Sequence, residues 1–152
     1  MSAQPAVSAA SADSALTAAL RASTYALRLE GGRLTGPGAD SLAAAAGRAE
    51  FVPVGEQHGT AEVPRFVGAL LRRVRPLGYS TLAPEVAPAD AVLLDSLARA
   101  GDPRETVARF HRAEGSAFAF YSAYADDAAL LDVVRTDSVA LWGLDQAFVF
   151  ST

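Results

Sequence analysis

The sequence predicts an α/β domain with a mostly parallel open sheet and helices on its faces, and an incomplete one. Three short apolar segments, at residues 51–54, 80–83 and 139–144, each end at a glycine, a proline or an acidic residue. Such runs are typical of strands that are buried on both faces of a parallel sheet. Helical sequence separates them, and this alternation of strands and helices is characteristic of an open α/β sheet.

The chain opens with a segment that is predicted to lie outside the folded domain. Residues 1–12 are mostly small and carry neither the basic flank nor the apolar stretch of a signal peptide. They predict a flexible leader, either of a cytoplasmic protein or of a periplasmic protein whose signal has been removed. The domain itself is expected over residues 13–152, as the N-terminal part of a larger fold.

Three small elements precede the first predicted strand. Residues 13–21 have helical composition, with two leucines four residues apart on one face. Residues 25–35 alternate on either side of a pair of glycines, which predicts a small β-hairpin. Asp40 is predicted to cap a short helix that continues through an alanine run to residue 48.

The later helices are predicted from the spacing of their apolar residues and from prolines in their first turns. Residues 61–77 place their apolar side chains on one face, and Pro64 falls in the first turn, where proline is tolerated. A second helix is predicted over residues 88–100, and the Asp-Pro pair at 102–103 opens a third. Residues 118–134 predict a further helix that carries several aromatic side chains.

Composition and charge exclude several classes of function. Hydrophobic residues make up 51% of the chain and charged residues 20%, which predicts a packed core. The 13 basic and 17 acidic residues leave a net charge of −4, which argues against a nucleic-acid partner. The absence of cysteine excludes disulfides, thiolate catalysis and thiolate metal sites. No apolar run approaches the roughly 20 residues that span a bilayer.

Polar side chains follow each predicted strand at its carboxyl end. Glu56 and His58 follow the first strand, Glu85 the second and Asp145 the third. Open α/β sheets bind ligands outside the carboxyl ends of their strands, so these four side chains are expected at one rim. An imidazole beside a carboxylate suits general-base chemistry, because it titrates near neutral pH and the carboxylate fixes its tautomer.

The loop after the first predicted strand carries the densest set of candidate residues. It reads Val54-Gly55-Glu56-Gln57-His58-Gly59-Thr60. Its two glycines let the backbone turn sharply and approach a ligand closely. The helix that follows offers free N–H groups and a positive dipole end to an anion. A Glu-x-His sequence between glycines has little structural use, so the pattern favours function over packing.

Simpler explanations compete at the other candidate positions. Glu62 and Arg65, three residues apart on a helix, also fit a surface ion pair. Asp145 taken alone fits a cap or a turn as well as a ligand-binding role. The aromatic residues at 118–124 fit a core better than a ligand pocket, and His111 lies among charged residues as expected for a solvated surface.

A longer pattern surrounds this loop over residues 51–85. It comprises an apolar strand, the loop, an amphipathic helix and a second strand, and its motif residues are Gly55, Glu56, His58, Gly59, Thr60, Glu62, Arg65 and Glu85. Residues 142–146, Trp-Gly-Leu-Asp-Gln, look like a later strand ending of the same kind. The pattern resembles the superfamily that joins erythromycin esterases, ChaN-like haem-binding proteins and TraB/Tiki proteins, which implies a bacterial protein.

The resemblance implies roles for the loop residues. In the esterase branch the Glu and His of the loop, with the Glu after the second strand, belong to the active site. The corresponding catalytic residues here are His58, Glu56 and Glu85. The resemblance also implies that Arg65 is a cation that orients the groups of this active site. The expected substrate-binding residues are Arg65, Asp145, Gly59 and Thr60.

The spacing within the loop leaves two functions open. Esterase loops usually have two residues between Glu and His, whereas only Gln57 separates them here, which is closer to the ChaN-like branch. The His58-Gly59-Thr60 sequence, by contrast, is closer to the esterases. One hypothesis is an ester hydrolase in which His58 activates water and no metal or cofactor is required. The other is a binding protein for haem or a divalent metal such as iron, with His58 or a carboxylate as ligand. The partner would be a small-molecule substrate or haem, respectively.

A third hypothesis concerns the length of the chain. The domains of this superfamily are longer than 152 residues and carry further strands, whereas this sequence stops just after a predicted strand. A truncated chain would lack activity of its own. It would also leave Phe148 and Phe150 without a covering helix, which predicts self-association.

Overall fold

Six α-helices and four short strands make up the part of the chain that the computed structural model describes, residues 9–55, 57, 60–114 and 125–146. In order they are α1 (Ala9–Ala22), β1 (Arg28–Glu30), β2 (Arg33–Thr35), α2 (Pro37–Ala46), α3 (Glu62–Val74), β3 (Thr81–Leu82), α4 (Pro88–Arg99), α5 (Pro103–Glu114), α6 (Ala125–Thr136) and β4 (Ala140–Leu141). A single 3₁₀ turn, Arg75–Leu77, continues α3.

The predicted mostly parallel open sheet is wrong. The structure is 58% helical over its described residues, and its strands form only two sheets of two strands each. Residues 51–54 form no strand. Pro53 has no N–H to donate to a sheet, and the Phe51 side chain is 82% exposed. Val52 alone of this segment packs against the core.

The hairpin and the later helices confirm the local predictions. β1 pairs with β2 in antiparallel register, with Leu29 opposite Leu34. The turn is formed by Gly31 and Gly32, whose φ angles of 55° and 73° are those of the turn that two-residue hairpins favour. The predicted helices at 13–21, 61–77 and 88–100 correspond to α1, α3 and α4.

Two aspartates were predicted to cap helices, and only one does. Asp102 precedes α5, and its Oδ1 accepts a hydrogen bond from the Arg104 N–H at 2.9 Å. Asp40, by contrast, lies within the first turn of α2, because that helix already begins at Pro37. Its carboxylate pairs with Arg73 instead.

β3 and β4 form a parallel pair, as predicted for residues 80–83 and 139–144. Thr81 lies opposite Ala140 and Leu82 opposite Leu141. The burial of this pair is one-sided, however. Val139 and Leu141 are buried, whereas Ala140, Trp142 and Leu144 are exposed, so the expected burial of both faces is not found in β4.

The core consists of two clusters of buried side chains that α3 joins. The larger lies among α3, α4, α5, α6 and the strand β4, and its most deeply buried members include Leu94, Leu131, Val134 and Val139. The smaller lies between β2, α2 and the opposite side of α3. The helices therefore bury most of their apolar faces against one another rather than against a sheet.

Two regions carry little of this core. From residue 13 onward every side chain of α1 is exposed. Of the predicted helix at 118–134, the structure describes the part from residue 125, as α6, and residues 118–124 lie outside the described residues. None of the helices described is both long and apolar enough to cross a membrane.

Candidate functional site

The structure describes the predicted catalytic loop at Val54, Gly55, Gln57 and Thr60. Glu56, His58 and Gly59 lie outside the described residues. On the far side, the Thr60 hydroxyl donates a hydrogen bond to the Gln57 carbonyl oxygen at 2.9 Å, which closes a turn just before α3. The loop therefore leads directly to the N-terminus of this helix.

The N-terminus of α3 was expected to offer N–H groups to an anion. Ala61 occupies the position before the helix, and no side chain of the described residues caps it. Alanine has no oxygen to offer the first N–H groups of the helix. No side chain of the described residues occupies those groups, which with the positive end of the helix dipole can donate hydrogen bonds to an anion.

The other two predicted residues, Glu85 and Asp145, lie on neighbouring segments. Beyond the paired strands the two chains stay side by side: the Leu144 N–H donates to the Pro84 carbonyl oxygen at 3.2 Å, and the Asp145 N–H donates to the Val86 carbonyl oxygen at 3.0 Å. Both carboxylates thus follow the carboxyl ends of the same parallel pair. Glu85 is exposed and Asp145 is half-buried.

Asp145 also shows the turn-forming behaviour that the simpler interpretation predicts. Its Oδ1 accepts a hydrogen bond from the backbone N–H of Gln146 at 2.7 Å. This bond occupies one carboxylate oxygen and orients the side chain. A carboxylate has further acceptor positions, so the bond is compatible with a second role in binding substrate.

Gly143 is a site residue that the sequence reasoning missed. A Cβ atom at this position would lie 2.5 Å from the carbonyl carbon and oxygen of Ala87 and 2.5 Å from the carbonyl oxygen of Val86. Only glycine lets β4 approach the segment after β3 so closely. The signal was present as the glycine two residues before Asp145, but its partner in space is more than fifty residues away.

Arg65 lies in the first half of α3, at the edge of a cleft of about 310 Å³. The cleft is bounded by α3, α6 and the β1–β2 hairpin. Arg72 lines the same cleft, although the sequence reasoning did not single it out. Its seven-residue separation from Arg65 was the available signal, because residues seven apart lie on the same face of a helix.

Two ion pairs hold arginine side chains in place, one at Arg72 and one at Arg99. The Nε of Arg72 lies 3.3 Å from the Oδ2 of Asp137, just after α6. Arg99 pairs with Asp95 one turn earlier on α4 and donates to the carbonyl oxygen of Val139 at 3.1 Å. The hydrogen bonds to Asp95, with its charge, raise the pKa of Arg99 above its usual value. Arg99 therefore remains a cation that ties α4 to the start of β4.

The described residues hold no group of three or more His, Cys, Asp or Glu side chains arranged to bind a metal. The two loop residues that the sequence offers as ligands, Glu56 and His58, are not among the described residues. Comparison of the chain with protein-family models, with curated proteins and with solved structures found no match.

Proposed function

We propose that this protein hydrolyses ester bonds of a small-molecule substrate, with His58 as the base that activates water. The observation that carries the proposal is the parallel pairing of β3 with β4, which sets Glu85 and Asp145 on adjacent segments. Larger parallel sheets bind ligands beside the carboxyl ends of their strands, and this two-stranded pair presents the same kind of edge. The resemblance of the loop to the esterases supplies the reaction type.

The proposed reaction needs only groups that the sequence and the N-terminus of α3 provide. His58 takes a proton from water while the water oxygen attacks the ester carbonyl carbon. The N–H groups at the start of α3 stabilise the oxyanion that forms. When the carbon–oxygen bond to the alcohol breaks, the imidazolium returns its proton to the leaving alkoxide. Glu56 stabilises the imidazolium, and Glu85 binds the substrate or holds a second proton.

Haem or iron binding is a second candidate, and one observation favours it. A single residue, Gln57, separates Glu56 from His58, and this spacing is closer to that of the ChaN-like branch than to that of the esterases. In this alternative the imidazole nitrogen or a carboxylate oxygen is an iron ligand and no bond in a substrate is broken. The two candidates need the same histidine for different purposes, so an experiment on His58 must measure both activities.

The first prediction compares the two histidines of the chain. His58→Ala should lower the rate of ester hydrolysis on the order of 10²-fold or more, which is the size of a general-base contribution. His111→Ala is the matched control, because it removes the only other imidazole, on α5. The rates of both variants and of the parent are measured on a panel of p-nitrophenyl esters, with unfolding midpoints determined in parallel.

Two further measurements complete this test: the stability of His58→Ala and the hydrolysis rate of Glu56→Gln. His58→Ala should leave the free energy of unfolding within about 1 kcal/mol of the parent, because the residue follows an exposed segment rather than a buried strand. Glu56→Gln should reduce the rate less than His58→Ala, since the amide still orients the ring. Exhaustive chelation should leave the rate unchanged.

Each of the following three outcomes would contradict the proposed hydrolase. Parent-like hydrolysis by His58→Ala would show that another group is the base. A parent that hydrolyses no ester but binds haemin, with a Soret band that His58→Ala abolishes, would replace the hydrolase with the haem-binding candidate. Unfolding of His58→Ala at a lower midpoint, with His111→Ala unchanged, would make His58 a structural residue.

A further inference from the structure

Tyr79 is a half-buried residue whose hydroxyl meets two backbone carbonyl groups. The hydroxyl donates to the Ala49 carbonyl oxygen at 2.6 Å and lies 2.9 Å from the Ala46 carbonyl oxygen. A phenol carries a single proton, so the two carbonyl groups share it. The Ala49 N–H in turn donates to the Ala46 carbonyl oxygen at 3.0 Å. Tyr79 therefore holds the turn by which the chain leaves α2.

This turn leads directly to the predicted catalytic loop. Residues 50–55 follow it without regular secondary structure, and the side chains of Phe51 and Val54 are exposed. The Val52 side chain packs against the smaller core cluster, and so does the ring of Tyr79. The segment before the loop is thus attached near its start, through the Ala49 carbonyl group and through Val52.

The backbone just before Tyr79 explains how its side chain reaches the end of α2. Gly78 ends the 3₁₀ turn with a φ angle of 101°, in the left-handed region that favours glycine, and its N–H donates to the Arg75 carbonyl oxygen at 3.0 Å. The chain leaves the helical path at this point and enters β3 at Thr81. Tyr79 therefore ties the end of α2 to the start of β3.

The positions of the candidate carboxylates along the chain give this tie a consequence. Glu56 comes seven residues after Ala49. Glu85 comes six residues after Tyr79. An extended chain advances at most about 3.5 Å per residue, so the two stretches have nearly equal reach from a shared starting point. A slip at the Tyr79 hydroxyl would displace Glu56 and His58 relative to Glu85.

We infer that Tyr79 is a positioning residue for the proposed hydrolase and acts through the Ala49 carbonyl group on the segment that leads to Glu56 and His58. The catalytic consequence rests on the proposed function, whereas the attachment of the segment does not. Misplacement of a catalytic group by about 1 Å can lower a rate by up to about 10²-fold.

Tyr79→Phe tests the hydroxyl alone, because phenylalanine keeps the ring that packs in the core cluster. The variant should lower kcat for p-nitrophenyl esters about tenfold, the effect of a small displacement of the base. KM should stay within about twofold of the parent, which is the pattern of an interaction that matters in the transition state. The hydrogen bonds that join the segments after β3 and β4 do not involve Tyr79 and remain in place.

Two control variants separate positioning from stability. The Thr106 hydroxyl donates to the Leu97 carbonyl oxygen at 2.8 Å, between α5 and α4, so Thr106→Val also removes a hydrogen bond to a carbonyl group. It should lower the unfolding midpoint as Tyr79→Phe does, with kcat at the parent value. Tyr25→Phe removes the hydroxyl of an exposed tyrosine and should change neither quantity. An equal fall of kcat in Thr106→Val would overturn the positioning role.

A distance measurement tests the attachment without any hydrolysis. Because the chain has no cysteine, spin labels attach only at two introduced positions, Val54→Cys before the loop and Ser96→Cys on the exposed side of α4. Pulsed electron paramagnetic resonance gives the distribution of distances between the labels. Tyr79→Phe should broaden this distribution, whereas Thr106→Val and Tyr25→Phe should leave its width unchanged.

The outcomes distinguish failure of this inference from failure of the proposed hydrolase. An unchanged distribution in Tyr79→Phe would overturn the inference, whatever the ester assays give. Broadening without any fall in kcat, in a parent that hydrolyses esters, would also overturn it. Broadening in a parent that hydrolyses no ester would support the attachment by Tyr79 and count against the proposed function alone.

Discussion

Gly143 governs how closely the two candidate carboxylate segments approach each other. The chain after β4 runs beside the chain after β3, and at Gly143 the distance to the Val86 and Ala87 backbone leaves no space for a methyl group. A flexible side chain at the contact would rotate away, but peptide atoms cannot move without displacing the neighbouring residues. The relative position of Glu85 and Asp145 therefore depends on this glycine.

We predict that Gly143→Ala destabilises the protein by about 1–3 kcal/mol, the usual cost of forcing a group into a packed site. Gly55→Ala is the control, because a Cβ there would meet nothing within 4 Å. Urea unfolding of both variants, followed by circular dichroism, gives the two free energies. A Gly143→Ala protein as stable as Gly55→Ala would mean that the two segments separate easily.

At the scale of single residues, the sequence predicted what depends on chain order and missed what depends on distant contacts. Glu85 and Asp145 were expected together because both follow apolar runs, and the parallel pairing of those runs does bring their segments side by side. The importance of Arg72 depends on the hairpin and α6, which are remote in sequence. Nothing in the spacing around Gly143 identifies the peptide groups that it contacts.

The starts of α2 and α5 show how two preferences at helix N-termini, a capping aspartate and a proline in the first turn, can conflict or agree. The alanine run after Asp40 predicted a helix that this residue would cap, but Pro37 is better suited to the first turn, since its fixed φ is already helical and it needs no hydrogen-bond acceptor. The helix accordingly begins at Pro37, four residues before the start that a cap at Asp40 would give. At α5 the aspartate directly precedes the proline, so the two rules agree, and Asp102 caps as predicted.

This difference predicts unequal effects of two similar substitutions. Asp102→Ala should destabilise the protein by about 1 kcal/mol, as the loss of an N-cap usually does. Asp40→Ala should cost below about 0.5 kcal/mol, because it removes only an exposed ion pair with Arg73. Chemical denaturation of both variants in moderate salt tests the ranking. A larger loss from Asp40→Ala would show that this ion pair contributes more than exposed pairs generally do.

The strand predictions failed where an apolar run lacked a partner. Residues 51–54 have the composition of a buried strand, yet Pro53 removes a hydrogen-bond donor and the Phe51 side chain, at the start of the segment, is exposed. Apolar composition measures how much a segment would gain from burial, but it does not specify the surface that would bury it. The runs at β3 and β4 became strands because each had the other as a neighbour.

For the whole molecule, helix packing replaced the predicted sheet as the source of the core. Each helix of the larger cluster presents one apolar face, and these faces bury one another around Leu94 and Leu131. The helices were predicted correctly from the spacing of apolar residues. The sheet, however, was inferred from three apolar segments, and the two that do form strands pair over only two residues each. The predicted fold class was wrong because it depended on the strands, for which the sequence pattern was weakest.

One consequence is an exposed apolar strip just after β4. Trp142 is 65% exposed and Leu144 is 72% exposed, and both lie on the face opposite the buried Leu141. Strands that alternate in this way normally direct polar residues to solvent. Two large apolar side chains adjacent on one exposed face are instead typical of a surface that associates with another molecule.

We therefore predict concentration-dependent self-association through this strip of Trp142 and Leu144. The double variant Trp142→Gln, Leu144→Gln should sediment as a monomer at protein concentrations where the parent forms larger species. Val92→Gln is the control, because Val92 is equally exposed, at 68%, but stands singly on α4. Since Trp142 is the only tryptophan, its emission should shift to shorter wavelengths as the parent associates. A parent that remains monomeric throughout, with unshifted emission, would contradict the prediction, as would equal dissociation by Val92→Gln.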